Sequence, residues 1–222
     1  MKLSVIVPAL DEAGGIAATL ALLAPLRARG HEVIVADGGS ADGTAALAAP
    51  LADRVIAAPR GRARQMNAGA AAASGQALLF LHADTRLPPD ADRQVAAALE
   101  ARRWGRFDVR IEGRSPLLGM VGFFMNWRSR LTGIATGDQA IFVRRADFTG
   151  FPDIALMEDI AFSKEMKRHG APACLRAKAV TSGRRWDERG AMCTIVHMWR
   201  LRLAYALGAD PQELARRYSR AA

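Results

Sequence analysis

The sequence contains little cysteine. Cys174 and Cys193 are the only two cysteines among 222 residues, and they form no Cys-x-x-Cys motif. No paired histidines at ligand spacing accompany them, which argues against a structural zinc site. The scarcity also disfavours a disulfide-stabilised secreted domain. We therefore expect a reduced, cytoplasmic protein.

Long apolar runs are also missing. No run approaches the roughly 20 residues that cross a bilayer. Segment 1–12 has one short apolar run, but acids follow at once, so we interpret it as a first strand rather than a signal peptide. Half of the residues are apolar, and there are no repeats or low-complexity linkers. We expect residues 1–222 to form a single domain.

Acidic residues are outnumbered. The chain has 31 Lys and Arg against 22 Asp and Glu, a formal net charge of +9. This balance suits anionic partners such as nucleotides or phospholipid head groups, although a solvated basic surface explains many arginines equally well. Nucleic acid is not expected as a partner, because the basic residues lack an interleaved aromatic platform and a known reading motif.

Short strand-like segments alternate with alanine-rich helical segments over the first ninety residues. Continuous apolar strands separated by helices are typical of a parallel sheet that is covered on both faces. The sequence therefore predicts an α/β fold with a doubly wound, mostly parallel sheet flanked by helices. The predicted strands are 2–8, 31–37, 54–58 and 77–82, and the predicted helical segments are 12–29, 43–49 and 61–74.

The rhythm changes after Asp84. WGRFDVRIEG (104–113) alternates like an edge strand, PLLGMVGFFMNWRSRL (116–131) looks helical, and GDQAIFVRR (137–145) returns to strand. Helices are predicted at 157–169 and 190–207, and DPQELARRY begins a last one with an aspartate cap and a proline. The second half should therefore end in a helical C-terminal extension.

Acids follow three of the predicted strands. Asp11 and Glu12 follow the first strand, Asp37 ends the second, and Asp84 follows the fourth. The carboxyl ends of parallel strands line one crevice, and clustered carboxylates need a cation or hydrogen-bond donors. Asp37 could contact a ribose or base edge, and Asp84 an Mg²⁺ or Mn²⁺ ion between phosphates. Helix capping is the alternative, and for Asp11 and Asp42 it is equally good.

A glycine-rich turn, DGGSADGT (37–44), joins the second strand to the next helix. It matches neither GxGxxG nor GxxxxGK[ST], which disfavours a dinucleotide oxidoreductase or an ATPase. Arg60, Arg62 and Arg64 then stand at the start of a helix, where they suit a diphosphate, with Asn67 close behind. A solvated basic turn explains each arginine equally well.

Taken in order, these segments resemble a known family. SVIVPALDE, DGGSADGT, the R..QMN.G run and LFLHADT resemble the nucleotide-sugar-binding half of family 2 glycosyltransferases of the GT-A fold. GDQAIFVRR and MEDIAFSKEMKR are similar to the acceptor-side loop and the ED motif, and SGRRWDERG resembles a downstream segment of some members. The resemblance covers residues 2–190. It implies a donor-binding half (1–90), an acceptor and catalytic half (91–190) and a helical extension (191–222).

The resemblance implies inverting transfer of a sugar from a nucleoside-diphosphate donor with a divalent cation, Mg²⁺ or Mn²⁺, at Asp84. His82 occupies the first position of the family's DxD pattern, where it brings no negative charge, so strict metal dependence stays open. By the same resemblance, Pro8, Leu10 and Glu12 line the base and ribose pocket and Asp37 contacts the nucleoside. The other substrate-binding candidates are Gly39, Arg60, Arg64, Asn67, His82, Ala83, Gly137, Asp138, Gln139, Arg184, Arg185 and Trp186.

Inverting displacement requires a carboxylate that takes the acceptor's proton, and the resemblance places it in the ED motif. Asp159 shares one helical stripe with Phe162 and Met166, whereas Glu158 lies beside that stripe. We therefore predict Asp159 as the base, kept ionised by the helix amino terminus, and Glu158 as a supporting or acceptor-orienting residue. The alternative is that both acids are surface residues of a first helical turn and have no catalytic role.

Two loops flank these acids. Residues 137–139 could meet the donor sugar or the acceptor, but a plain turn with an aspartate cap is nearly as good an explanation. Arg184, Arg185 and Trp186 could clamp the diphosphate and stack on a sugar as a mobile flap. Surface arginines beside a packed tryptophan are the alternative.

Apolar stripes mark residues 117–131 and 192–206. Such helices can lie in a bilayer interface or form a homodimer contact, and a lipid-linked acceptor at the inner face of the membrane would fit them. Packing in the core is the favoured interpretation.

Two other functions remain open. A nucleotidyltransferase that makes nucleotide sugars would carry a glycine-rich basic loop after the first strand, where PALDEAGG places acids instead. A noncatalytic nucleotide-binding or peripheral membrane scaffold is the third reading, and the ED pair argues against it.

Overall fold

The computed structural model describes residues 1–220, and within them it contains eight strands and ten α-helices. The strands are β1 (Leu3–Ala9), β2 (Glu32–Asp37), β3 (Arg54–Ala57), β4 (Ala77–Phe80), β5 (Thr85–Arg86), β6 (Trp104–Glu112), β7 (Phe142–Arg144) and β8 (Ala173–Ser182). The helices are α1 (Ile16–Ala21), α2 (Ala24–Ala28), α3 (Thr44–Ala48), α4 (Arg62–Ala72), α5 (Ala91–Ala101), α6 (Leu117–Thr132), α7 (Glu158–Arg168), α8 (Arg184–Arg189), α9 (Ala191–Ala206) and α10 (Pro211–Arg220).

All eight strands belong to one sheet in the order β3-β2-β1-β4-β7-β6-β8-β5. The pairs β2–β3, β1–β2, β1–β4 and β6–β8 are parallel, and β4–β7, β6–β7 and β5–β8 are antiparallel. This confirms the predicted α/β class with a mostly parallel sheet. Because β4 joins the two parts of the sheet, the segment that follows it lies near the middle of the molecule.

Helices cover both faces of the sheet, as the continuous apolar strands predict. On β1, Val5 and Val7 pack with α1, α2 and α5, while the intervening Ile6 packs with Met66 of α4 on the other face. Phe162 of α7 is fully buried in that second layer. The alternation of side chains along a strand places successive residues in the two layers.

Two predictions about these elements were wrong. The segment 12–29 forms two short helices, α1 and α2, because Pro25 starts a new helix in its first turn. The predicted edge strand at 104–113 is β6, which lies inside the sheet between β7 and β8. The alternation of polar and apolar residues in β6 indicated an edge strand, but Arg106 and Asp108 are buried against α6 as an ion pair. Arg130 is a second partner of Asp108.

The C-terminal helices follow the predicted bounds within one residue. The backbone N–H of Gln212 donates to Asp210 Oδ1 over 3.0 Å, so Asp210 caps α10 as expected. Core packing was the favoured interpretation of the apolar stripes on α6 and α9, and it was wrong for most of their large side chains, which are exposed. Among residues 1–220, no helix has the length and hydropathy needed to cross a membrane.

Candidate functional site

The carboxyl ends of β1, β2 and β4 meet at one edge of the sheet, as predicted. Hydrogen bonds tie the loop after β1 to the loop after β2. The N–H of Asp11 donates to Ser40 Oγ, the N–H of Glu12 donates to Thr44 Oγ1, and the N–H of Ala13 donates to Asp42. These bonds tie Asp42 to the loop after β1 and fix the position of Glu12, while the cap position of α3 is Gly43.

Asp37 is buried and organises the glycine-rich turn. Its carboxylate accepts the backbone N–H groups of Gly39 and Ser40, both at 3.1 Å, and the Ser40 hydroxyl. Gly39 has φ +87°, a conformation that suits glycine. Pro8 and Leu10 lie half-buried beside this turn at the end of β1. Substrate binding by Pro8, Leu10, Asp37 and Gly39 stays a prediction. The hydrogen bonds of the turn are enough to explain why Asp37 is buried there.

Arg62 links the acids of this edge to the acids of α7. It stands at the first position of α4, and Nη1 lies 3.6 Å from Glu158 Oε1. Burial lowers the pKa of Arg62, but the charges of Glu158, Asp138, Asp159 and Asp84 together raise it. The structure therefore brings residues from α4, α7 and two loops into one cleft around this guanidinium.

Glu12 and Asp84 lie near the same guanidinium, because the charge of each interacts with that of Arg62. Burial raises the pKa of Glu12, and the charge of Asp84 raises it further, against the opposing charges of Arg184, His82 and Arg62. Two carboxylates that repel in this way favour a cation between or beside them. The predicted grouping of acids at the strand ends is thus present.

Asp159 points from the start of α7 into this cleft. Its Oδ2 accepts the backbone N–H of Gly137 at 3.0 Å, and its Oδ1 accepts the N–H of Ile160 at 2.7 Å. Both bonds hold the carboxylate in place at the amino terminus of α7. Arg128 of α6 is close enough for its charge and that of Asp159 to interact. The carboxylate is half-buried and lines a narrow space between α4, α7 and the 137–139 turn.

Glu158 is more buried than its position beside the stripe predicted. Its side chain is only 5% exposed, and burial raises its pKa, with Arg62 lowering it and Asp159 raising it. The predicted stripe was wrong on this point because Glu158, Phe162 and Met166 are spaced by four residues and share a helix face. Glu158 is the partner of Arg62, whereas Asp159 is the more accessible acid.

His82 and the 137–138 turn are in direct contact. His82 Nδ1 lies 3.4 Å from Asp138 Oδ1. Burial raises the pKa of Asp138, but hydrogen bonding and charge from His82, with the charges of Arg62 and Arg202, lower it overall. The buried His82 Nε2 has no hydrogen-bond partner in the described part of the chain. It abuts Gly137, where an added Cβ would lie only 2.3 Å from it.

The residues at the predicted metal site offer few protein ligands to a divalent cation. Asp84 is exposed, with Oδ1 accepting weak bonds from Thr85 and Thr181 at 3.3 and 3.5 Å. His82 turns its two nitrogens towards Asp138 and Gly137. No cluster of three or more His, Cys, Asp or Glu side chains within residues 1–220 could hold a metal. The donor set fits only a cation that brings phosphate and water ligands with it.

Several predicted substrate-binding residues have protein partners instead. Gln139 is fully buried and forms a reciprocal cap with Thr136, so the prediction that it meets a ligand was wrong. Ala83 is nearly buried, and its carbonyl accepts the Thr19 hydroxyl. Asn67 exchanges two hydrogen bonds with the backbone of Phe151, each of 2.8 Å. These residues hold loops in place around the cleft.

The other predicted arginines differ in their surroundings. Arg60 is exposed, and Arg64 pairs with Asp153 at 2.8 Å. Arg184 lies near enough to Glu12 for its charge to lower the pKa of that carboxyl. Arg185 lies 4.9 Å from the ring centre of Tyr218. Binding of a diphosphate by these side chains stays a prediction. Of the three arginines at the start of α4, Arg62 is the one that pairs with Glu158 of α7.

Trp186 packs with the cluster of Val109, Ile111 and Leu118, which agrees with the alternative of a packed tryptophan. Beyond it, α8, α9 and α10 enclose an open cleft of about 690 Å³. Sequence reasoning did not identify this cleft, because it depends on how three helices pack. Its polar lining residues are Arg185, Arg189, Cys193, Thr194, His197, Arg200 and Tyr218.

Sequence reasoning also missed Arg128. Burial lowers its pKa to about 10, and the charge of Arg202 adds to this effect. The Nε and Nη2 atoms of Arg128 and the Nε of Arg202 are buried without a hydrogen-bond partner in the described residues. The basic end of α6 was visible in the sequence, but only the fold brings it near Asp159.

Comparison with known proteins gives a family and a fold. A family model described as Glycosyl transferase family 2 matches residues 4–149, more than half of the chain. A comparison with curated proteins by sequence gives no match. Residues 1–349 of S. aureus TarS share 19% identity with a TM-score of 0.64, covering 82% of this chain and 61% of that one. The chain therefore spans less than two thirds of the TarS fragment.

A second structure covers more of this chain. Glucosyl-3-phosphoglycerate synthase from Mycobacterium tuberculosis, solved with Mn²⁺, uridine diphosphate and phosphoglyceric acid, has 22% identity and a TM-score of 0.66. The match covers 94% of this chain and 79% of that one. TarS has also been solved with UDP-GlcNAc, and that structure matches with a TM-score of 0.64. By its sequence and architecture, the chain belongs to glycosyl transferase family 2 and has the GT-A fold.

Proposed function

We propose that this protein transfers a sugar from a nucleoside-diphosphate donor to an acceptor with inversion at the anomeric carbon. The observation that carries the proposal is the single cleft in which Arg62 joins the acids at the strand ends to the acids of α7. Inverting displacement needs a leaving-group side and a base side that face each other. The family membership and the solved relatives that bind uridine diphosphate support the donor class.

The donor side is formed by the loops after β1, β2 and β4. Glu12 and the turn held by Asp37 line the place for the nucleoside, and the backbone of that turn can approach a ligand closely at Gly39. Arg184 supplies positive charge near Glu12 and Asp84. A diphosphate placed there would pair with the guanidinium of Arg184.

Asp84 is the residue that would hold a divalent cation, and neutralising the charge of the departing diphosphate is the chemistry that such a cation supplies. The relatives solved with Mn²⁺ and uridine diphosphate support this part of the proposal. His82 brings no carboxylate to the site and contacts Asp138 instead. We therefore expect weaker metal binding than a pair of carboxylates would give.

Asp159 is the proposed base. As the acceptor oxygen forms its bond to the anomeric carbon, the bond to the diphosphate oxygen breaks and its electron pair leaves with the nucleoside diphosphate. The acceptor proton passes to the Asp159 carboxylate, which keeps a free lone pair on each oxygen beyond its two backbone bonds. Glu158 pairs with Arg62 and thereby positions the guanidinium, which is the supporting role predicted for it.

A thermal-shift screen tests the donor class. The protein is heated with UDP-, GDP-, CMP- and dTDP-sugars, each with and without Mn²⁺. We expect one nucleotide to raise the melting temperature, with a larger rise when Mn²⁺ is present, because a ligand that binds only the folded state stabilises it. Failure of every nucleotide to stabilise the protein would refute the proposal.

The Asp84→Ala variant tests the metal site within the same screen. Its side chain is exposed, so the variant should melt at the wild-type temperature without ligand. We expect it to lose the additional stabilisation by Mn²⁺ while Asp90→Asn, a conservative change at an exposed helix cap of α5, keeps it. An undiminished Mn²⁺ effect in Asp84→Ala would place the cation elsewhere.

A further inference from the structure

Most of the large apolar side chains that the structure exposes lie on two helices. Ten of the thirteen exposed large hydrophobic residues fall between 120 and 131 on α6 or between 192 and 207 on α9 and its end. On α6 these are Met120, Phe123, Phe124, Trp127 and Leu131; on α9 they are Met192, Val196, Trp199, Leu203 and Leu207. Surface patches of this extent mark interaction sites.

Each set forms one continuous stripe. The α9 residues recur at intervals of four, three, four and four positions, and the α6 residues also fall within about a third of the helix circumference at 100° per residue. The opposite faces are buried, through Gly122, Asn126 and Ser129 on α6 and Thr194 and Leu201 on α9. Both helices are therefore amphipathic, with a second apolar face turned to solvent.

Both helices and their immediate flanks carry basic residues and no acidic ones. Residues 113–137 and 189–209 contain no Asp or Glu. On α6, Arg130 beside the stripe pairs with Asp108, and part of the Arg128 guanidinium is buried. On α9, Arg200 follows Trp199 and is exposed. The helices approach each other near Arg128 and Arg202, whose charges interact. The exposed apolar surface thus has a cationic edge on its α9 side, at Arg200.

This charge pattern favours a lipid surface over a second copy of the chain as the partner of the two stripes. A symmetric contact between two copies through α9 would bring two arginine-bearing helices without acids together, and their charges would repel. An anionic lipid surface offers an apolar layer for the stripes and negative head groups for the arginines. The stripes are too short to cross a bilayer, which agrees with helices that lie in its plane.

We propose that α6 and α9 form a peripheral membrane-binding surface for anionic lipid, with Trp127 and Trp199 inserted at the level of the head groups. The cleft at Asp159 would then lie near the bilayer, because Arg128 of α6 is close enough for its charge and that of Asp159 to interact. The inference is independent of the nature of the donor and does not need the proposed reaction.

Vesicle flotation of the full chain tests the proposal. Vesicles of phosphatidylcholine are compared with vesicles that contain 30 mol% phosphatidylglycerol, at low and high salt. We expect flotation with the anionic vesicles, little with the neutral ones, and a loss of about fivefold in affinity when Arg200→Gln removes one surface charge. Arg93→Gln, at an exposed position on α5, is the charge control.

The apolar contribution is tested by Trp127→Gln combined with Trp199→Gln. These side chains are 54% and 71% exposed, so the melting temperature should not fall. We expect at least about a tenfold loss of affinity for anionic vesicles, whereas Leu22→Gln with Leu47→Gln, exposed residues on other parts of the surface, should bind like wild type. Brominated lipids should quench the wild-type tryptophan fluorescence.

Three results would overturn the proposal. One is no flotation with anionic vesicles, and another is unchanged binding by the double tryptophan variant. The third is a concentration-dependent dimer in sedimentation that the double tryptophan variant dissociates, which would assign the stripes to a second copy. Nucleotide binding should be the same in all these variants, so failure here leaves the thermal-shift screen unaffected.

Discussion

Replacing Arg62 by glutamine tests whether this one guanidinium offsets the free-energy cost of the buried Glu158 carboxylate. At 3.6 Å from Glu158 and an effective dielectric constant of 20, Coulomb's law gives about 4–5 kcal/mol for the pair. Because 47% of the Arg62 side chain is exposed, solvent screening reduces the net effect to about 1–2 kcal/mol. The Glu158 carboxylate, 5% exposed, would remain without its partner.

The loss should depend on pH. Burial already raises the pKa of Glu158, and without Arg62 it should rise further. A folded state that holds a proton more tightly than the unfolded chain loses stability as pH rises from the unfolded pKa to the folded pKa. The Arg62→Gln variant should therefore be about 1–2 kcal/mol less stable than wild type at pH 8, with a much smaller difference near pH 4.

Urea denaturation followed by fluorescence measures these free energies of unfolding. The control is the double variant with Glu158→Gln, which removes the buried charge and should recover most of the loss at pH 8. An Arg62→Gln variant that loses the same stability at both pH values, or a double variant as unstable as the single one, would refute the reasoning.

Three further changes have defined outcomes. Gly137→Ala would place a Cβ 2.3 Å from His82 Nε2 and should lower donor affinity about tenfold in calorimetry. Gly119→Ala, with open space around its Cβ, should leave the affinity unchanged. Equal affinities of the two variants would show that the imidazole can move away freely. Phe162→Ala, at a fully buried position, should lower the free energy of unfolding in urea by about 3–5 kcal/mol, and a loss below about 1 kcal/mol would contradict the packing. Asp210→Ala should cost about 1 kcal/mol through loss of the α10 cap, while Asp210→Asn keeps it, and equal melting temperatures for the two would argue against capping.

The fold of the first ninety residues could be predicted closely from the sequence because its signals are local. Apolar runs such as 77–82 are buried on both faces, so their strands have a strong one-dimensional pattern. The acids after the strands came together because parallel strands share one carboxyl edge. The family resemblance, confirmed by the match over residues 4–149, used the same local motifs.

The remainder depends on contacts between distant segments. Arg106 and Asp108 look like exposed residues of an edge strand until their buried pairing is known. Gln139 is a polar residue in a loop, and only the fold shows that its partner is Thr136. The direction of Glu158 towards Arg62 depends on how α7 meets α4, which no spacing within α7 can specify.

The exposed stripes show a different limit. A helix with an apolar face has the same sequence pattern whether that face meets the core, a partner or a lipid surface. On α6 the small buried residues Gly122 and Ser129 are weak hydrophobic signals, so the stronger apolar face was assigned to the core. The acid-free surroundings were present in the sequence but gain meaning only once the exposure is known.

The most direct test of the proposed mechanism compares turnover and donor affinity in Asp159→Asn. Turnover is measured as release of nucleoside diphosphate from the donor found in the screen, with water or an added alcohol as acceptor, and affinity by calorimetry. We expect turnover to fall at least about 100-fold, because general-base catalysis contributes that much, while the dissociation constant stays within about twofold and Asp90→Asn behaves as wild type. Turnover of Asp159→Asn within a few fold of wild type would contradict its role as the base.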